Sequence, residues 1–380
     1  MKGKRIAAIA LMLVAVIIFP FYAAAADTDS MLSGQYRKSG ASEAYSKTPN
    51  DVRKALGNMG VAGNDAKSLS KFTPVSVFKY ITSTAKQNMK SPLRAAAAVL
   101  GVLLACALLG AMKNSFGEKS LDTVFGLVST LCIAAVLLVP VTKCVSFCAR
   151  VISDASRVMT AFIPVFAALG TASGHPASAV VFRGLLLMVS QAVSQIAANG
   201  FVPMVDMYLA FCVVGAISPG VNIGSIASFM RKIVSFALVL CMTVFTGILT
   251  VQSVISQASD NVAAKTAKFV VGSAVPVIGS AVSDAVNTVM SCANLMRSTT
   301  GALSLMVFIV MFLPPVIDCL MWMLVADVSV IFADMLGIGQ ASGLLKAVSE
   351  AMRLLTALVF SAALAMIVSV SIMLLTGMSG

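Results

Sequence analysis

The sequence predicts an all-α, polytopic helical membrane protein with about seven transmembrane helices plus amphipathic or re-entrant segments. Three observations carry this. Of 380 residues, 59% are hydrophobic and only 11% charged, against about 25% charged in soluble domains. The apolar residues fall in runs of about 20, the length that about 30 Å of hydrocarbon requires of a helix. The 23 Met and 26 Gly, with many Ala and Ser, suit helices that approach closely in lipid, where small side chains let backbones meet.

The chain opens with MKGKRIAAIALMLVAVIIFPFYAAAADTDS. Lys2, Lys4 and Arg5 form a positive end, Ile6 to Phe19 an apolar core, and Ala24-x-Ala26 the small residues of a cleavage site before Asp27. Residues 1–26 are therefore expected to be a signal peptide, with an uncleaved first span as the alternative. Either way, residue 27 starts outside the cytoplasm. Residues 27–91 read as an extracytoplasmic polar segment with too few apolar residues for a core of its own. Short helices are expected near 51–59 and 75–90, ordering on a partner.

Residues 92–380 form the helical membrane domain. Spans are expected at Leu93–Met112, Leu121–Val141, Ala177–Ala198, Phe201–Ile217, Ile233–Val254, Ala302–Val325 and Leu354–Thr376. Pro314-Pro315 should kink or break the sixth of these. Lys113 and Lys119 favour a cytoplasmic first loop, but Lys143, Arg150 and Arg157 then fall on the side that the positive-inside rule disfavours. The segment carrying them is expected to be re-entrant or to lie at the headgroup surface.

Several segments carry polar seams at alternating steps of three and four residues, the spacing that keeps one helical face toward one neighbour. One runs through Ser280, Asp284, Asn287, Ser291, Asn294 and Ser298. A second runs through Thr243, Thr246, Thr250, Ser253, Gln257 and Asp260. A third joins Lys143, Ser146, Arg150, Ser153, Arg157 and Thr160. Arg183, Ser190, Gln191, Ser194, Gln195 and Asn199 make a looser fourth. Lipid-facing polar groups are costly, so such seams face protein or water. Two readings stand side by side: hydrogen bonds between helices, worth about 0.6 kcal/mol each, or a hydrated passage. The candidate polar lining is Ser280, Asp284, Asn287, Ser291, Asn294, Thr250, Ser253 and Gln257. Arg183, Asp206, Asp318 and Asp327 also sit within apolar runs, and Arg183–Asp206 is the candidate intramembrane charge pair between adjacent spans.

Other function classes are disfavoured. The net charge of +12 comes with one Trp and five Tyr, too few aromatics for nucleic-acid stacking; it suits anionic lipid headgroups instead. Cys144 and Cys148 lie one helical turn apart, where a metal site can begin. There is no CxxC and His175 is the only histidine, so the eight cysteines read as small apolar filler, and no metal or cofactor is expected. KNSFGEKS lacks phosphate-loop spacing, and metallohydrolase and kinase signatures are absent. Ser173 stands two residues from His175 in an expected loop, unlike the dyad of an intramembrane protease, so no enzyme is expected.

FIPVFAALGTASG, FVPMVDMYLAF and AVPVIGSAVSDAVNTVMSCANLM, together with a signal, a modest extracytoplasmic segment and about seven spans, resemble the stage III sporulation protein AE family of endospore-forming bacteria. The resemblance covers roughly residues 95–376. It implies a place in a multiprotein channel across the two membranes between mother cell and forespore. Its implied partners are the other stage III A sporulation proteins and the stage II sporulation protein Q complex, beside membrane lipids, with a homo-oligomer also allowed. It implies a multi-pass location in the mother-cell-derived membrane around the forespore and a role in transport or secretion that supports forespore development. A stand-alone ion-coupled secondary transporter and a non-conducting scaffold are the alternatives.

Overall fold

The computed structural model describes residues 40–61, 68, 73–113, 121–173, 176–217, 228–248, 251 and 279–375. Every regular element among them is a helix: α1 Ala41–Ser46, α2 Asn50–Asn58, α3 Pro74–Asn88, α4 Lys90–Lys113, α5 Leu121–Ala172, α6 Pro176–Gln195, a π-helical turn Ile196–Phe201, α7 Val202–Ile217, α8 Ser228–Ile248, α9 Gly279–Met335 and α10 Gly339–Leu375. Six helical stretches among the described residues are long and apolar enough to cross a membrane.

The count differs from seven because two expected spans are one. Ala177–Ala198 and Phe201–Ile217 join through the π-helical turn into a continuous helical run. Pro203 has no N–H to give the preceding turn. Widening that turn removes the need for one and lets the helix continue. Helices α5, α9 and α10 also run past their expected ends. At about 1.5 Å per residue, α5 is about 78 Å long, α9 about 86 Å and α10 about 56 Å, well beyond a bilayer's hydrocarbon. Pro314-Pro315 lies inside α9 without breaking it, and Pro140 and Pro164 lie inside α5. The turns on either side of Pro314-Pro315 are held by the buried Met311, Phe312, Ile317 and Cys319, packing that keeps the helix in line where the prolines forfeit backbone hydrogen bonds.

Three long helices form the core. Phe162 and Phe166 on α5 stack with ring centroids 5.8 Å apart. They join Leu137, Ile152 and Met159 on α5, Phe308 and Met311 on α9, and Leu345, Met352 and Leu355 on α10 in one buried cluster. This corrects the surface reading of 143–160. The segment is amphipathic, with Lys143, Arg150 and Arg157 exposed. Its apolar face, with Cys144, Cys148, Ile152, Ala155 and Met159, is buried in the protein's own core and not in a headgroup layer.

Two hairpins set the order of packing. The α5–α6 hairpin closes so tightly that a Cβ built on Gly170 would lie 2.9 Å from the Ala179 Cβ. Ser156 and Ser190 bond across it, hydroxyl to hydroxyl at 2.8 Å and each hydroxyl to the other's carbonyl at 2.8 and 2.9 Å. The α9–α10 hairpin turns on Gly337, at φ +72. The Ile338 N–H donates to the Ala333 carbonyl and the Gly337 N–H to Asp334, the two bonds of a Schellman stop that needs a left-handed residue.

The described part of the N-terminal segment docks on this body. The two short helices expected there correspond to α2 and α3. Thr73 caps α3 in a reciprocal pair with Ser76. Ala41, Ala44, Val52, Ala55 and Leu56 enter the main core cluster. A segment short of apolar residues is thus ordered by α5 and α9 of its own chain.

The helices also share a register. Cys144 and Cys148 of α5 touch Cys319 of α9. Farther along α5, Arg150 and Asp154 share a cleft with Met311 and Pro314 of α9, and with α2 and α3. The two helices are therefore antiparallel. Beyond the cysteine contact, on the side away from α2 and α3, exposed apolar side chains line up: Val128, Leu131 and Val139 on α5, and Leu320, Leu324, Val328, Ile331 and Met335 on α9. Helix α4, antiparallel to α5 across their short connection, adds Leu93, Leu104 and Leu108. Leu320 to Met335 covers about 23 Å of helix, close to one hydrocarbon thickness. A second exposed apolar surface is made by Met188, Met207, Phe236 and Val244 on α6 to α8.

Candidate functional site: a charged ladder on the terminal hairpin

Helix α9 shows two faces over its last five turns. Leu320, Leu324, Val328, Ile331 and Met335 make the exposed apolar seam. Asp327 and Asp334, seven residues apart, share another face and meet α10. There Ser342, Lys346, Ser349 and Arg353 follow at steps of four, three and four. The Schellman turn aligns the two sets, rung against rung.

At the rung nearest the turn, Asp334 accepts from the Ser342 hydroxyl and from Lys346 Nζ, 3.1 Å from its Oδ2. At the next, Asp327 accepts from the Ser349 hydroxyl, and Arg353 Nη2 reaches both its oxygens, at 3.2 and 3.0 Å. Arg353 also touches Glu350 at 3.4 Å, and Glu350 receives Arg231 of α8 at 3.0 Å. Charge-assisted and forked contacts of this kind are among the stronger hydrogen bonds. The ladder ties three helices together, yet its groups stay open on one side. Side-chain exposure is 50% for Arg353, 42% for Asp327 and 57% for Lys346.

The depth of the ladder gives it meaning. Asp327 is next to Val328 in the chain, and Asp334 is next to Met335, so the charges stand level with the apolar seam. Half-open charges level with a lipid-facing belt would be costly against lipid, so they are expected to face protein or water. Sequence reasoning noticed Asp327 as a charge within an apolar run but missed its partners. The three- and four-residue steps that revealed the other seams are also present in Ser342, Lys346, Ser349 and Arg353.

The predicted lining residues fare differently. The backbone of α9 is helical through Ser280, Asp284, Asn287, Ser291 and Asn294, which keeps them on one helical face; their side chains lie outside the described residues. Thr250, Ser253 and Gln257 lie outside the described residues altogether. On the same α8 seam, the Thr243 and Thr246 hydroxyls donate to their own helix, at the Val239 and Met242 carbonyls. Ser190, of the fourth seam, is buried and bonded to Ser156, the interhelical bond of the plainer reading. Arg183 and Asp206 lie on one continuous helical run, about 34 Å apart along it. The premise of adjacent spans does not hold, and the structure does not bring them together. Both are exposed.

The family model described as stage III sporulation protein AE matches residues 63–377, from between α2 and α3 through α10. The stage III sporulation protein AE of Bacillus subtilis (strain 168) is 23% identical over 272 residues, covering 72% of this chain and 68% of that protein. No solved structure matches the chain. With a match over most of its length, this helical membrane chain belongs to the stage III sporulation protein AE family, a family of sporulation proteins.

Proposed function

We propose that the chain is an integral membrane component of a sporulation channel or export apparatus linking mother cell and forespore, and that forespore development requires it. The observation that carries this reading is the half-open charged ladder at the depth of the apolar belt. A subunit that leaves Asp327, Glu350 and Arg353 partly uncovered there needs further protein, or water enclosed by further protein, to complete it. Family membership supplies the setting. The polar lining from Ser280 to Asn294 extends the same helix and serves the same interior, in concert with Thr250, Ser253 and Gln257.

In this reading the chain works without catalysis of its own. Its partners are the other stage III A sporulation proteins and the stage II sporulation protein Q complex, in the mother-cell-derived membrane around the forespore. Residues 1–26 direct export, and residues 27–91 belong to the outer side, where the described helices α1 to α3 pack against α5 and α9.

The experiment uses an endospore-forming host lacking its own copy of the gene and complemented with this chain. Asp284→Ala with Asn287→Ala is expected to lower the yield of heat-resistant spores while membranes retain normal amounts of the chain. Wild-type spore yield from that stable double variant would remove the seam from any passage. Substrate movement by the purified chain alone in vesicles would favour a stand-alone transporter instead.

A further inference from the structure

The ladder leaves three cysteines unexplained. Cys144 and Cys148 stand one turn apart on α5, and Cys319 comes from the facing α9. All three are buried, at 2%, 0% and 0% exposure. The Cys319 Sγ lies 3.7 Å from that of Cys144 and 3.5 Å from that of Cys148, and all three sulfurs lie within 4.8 Å of one another. They are not disulfide-bonded, since bonded sulfurs sit about 2.05 Å apart.

The spacing has a specific meaning. Zinc–thiolate bonds of about 2.3 Å in a tetrahedron place neighbouring sulfurs about 3.8 Å apart. Two edges of the triangle are already within a few tenths of an ångström of that value. The third closes through a rotamer change at one residue, because i and i+4 side chains share a face. Asp318, adjacent to Cys319 and half-buried, touches the Cys144 thiol but stands outside the group of three mutually close sulfurs; a turn of its side chain would bring an oxygen to the fourth vertex. Filling a helix crossing with small apolar side chains calls for burial. It does not call for three sulfurs converging on one point from helices so far apart in sequence.

We propose that Cys144, Cys148 and Cys319 form a binding site for a thiophilic d10 cation, zinc, completed by Asp318. Three thiols lose three protons to solvent as three thiolates bind the ion, so binding tightens with rising pH. Soft thiolates also suit copper(I), but a carboxylate oxygen as fourth donor is a ligand of zinc. The ion would staple α5 to α9 beside the apolar belt and fix the register of α9, which carries the two aspartates of the ladder.

The test uses the full chain purified in detergent under reducing, chelator-free conditions. Elemental analysis is expected to find about one zinc per chain, falling more than tenfold in Cys144→Ser/Cys148→Ser/Cys319→Ser and unchanged in Cys132→Ser, an exposed cysteine away from the cluster. Cobalt added to the metal-free wild-type chain is expected to give thiolate-to-cobalt charge-transfer absorption, which keeps the test independent of whether the triple variant folds. A strong chelator should lower the wild-type melting temperature and leave a folded triple variant unchanged. Zinc content equal in wild type and triple variant, absence of the cobalt band, preferential loading of copper(I) over zinc in competition, or a Cys148–Cys319 disulfide in chain isolated with its thiols blocked at lysis would each overturn the proposal.

Discussion

Replacing Arg353 by Leu removes one side of the ladder's central rung. Its Nη2 lies 3.0 and 3.2 Å from the two oxygens of Asp327. At 3.0 Å the Coulomb attraction is about 1.4 kcal/mol in a water-like medium and about 5.5 kcal/mol at an effective dielectric of 20. With Arg353 50% and Asp327 42% exposed in the isolated chain, solvent screening and side-chain entropy leave a net of about 0.2–1 kcal/mol. Covering by further subunits changes the sum. Asp327 would then be left as an unpaired, desolvated charge, at about 3–5 kcal/mol, more than a hundredfold in association. Arg353→Leu is therefore expected to leave the melting temperature of the purified chain nearly unchanged and to reduce heat-resistant spores strongly. Asp327→Leu should behave alike. The double variant, with no orphaned charge at that rung, should recover a large part of the loss. Chain levels in membranes control for degradation. Wild-type spore yield from both single variants, at normal chain levels, would refute the covering of this face.

Three further outcomes follow from local geometry. Gly170→Ala puts a methyl 2.9 Å from the Ala179 Cβ, and overpacking of that kind costs about 1–3 kcal/mol; a lowered melting temperature is expected, with recovery on adding Ala179→Gly. Gly337→Ala meets no neighbouring atom within 4 Å, so its cost is the left-handed conformation alone, about 1–2 kcal/mol; it should be largely undone by Gly337→Asn, which tolerates that region. Burial of Tyr80 pushes its phenol above the ordinary value of 10, and the nearby Asp51 adds to this against an opposing hydrogen bond from Thr84. The folded state thus holds this proton more tightly than the unfolded one. Its contribution is fully present below pH 10 and is lost as pH rises through the raised value. The phenolate absorbance assigned to Tyr80 by difference from Tyr80→Phe should have its midpoint above pH 10; a midpoint at or below 10 contradicts the buried docking of α3.

The chain's class was legible because it rests on composition and run length, which every part of the sequence repeats. The short helices near residues 51–59 and 75–90 were legible from spacing too. Helix ends were not. Pro203 and Pro314-Pro315 carry the marks of a break, and the structure carries the helix through both, by a widened turn in one case and by packing in the other. The Lys143–Thr160 seam was read correctly as one polar face. What its apolar face meets is a tertiary fact, and Phe308, Met311 and Leu355 supply it from more than 140 residues away. Local periodicity could have found the α10 half of the ladder. It could not have found Asp327 and Asp334 as the opposing rungs, since that pairing depends on where Gly337 turns the chain. Cys319 shows the same limit: Cys144 and Cys148 announced half a cluster, and only antiparallel packing of α5 and α9 brings in the third sulfur.

The central claim is that the ladder stands within the hydrocarbon depth and faces away from lipid. Spin labels placed singly at Ser342, Lys346 and Glu350, and at Leu324, Val328 and Ile331, in a functional cysteine-depleted chain in sporulating-cell membranes, test it by their collisions with oxygen, which concentrates in lipid, and with a water-soluble nickel chelate. Oxygen-dominated relaxation is expected at the three apolar positions, and chelate access or protection from both reagents at the three ladder positions. Chelate access at all six would place the hairpin end in bulk water, and oxygen-dominated relaxation at all six would place the ladder in lipid; either result contradicts the account.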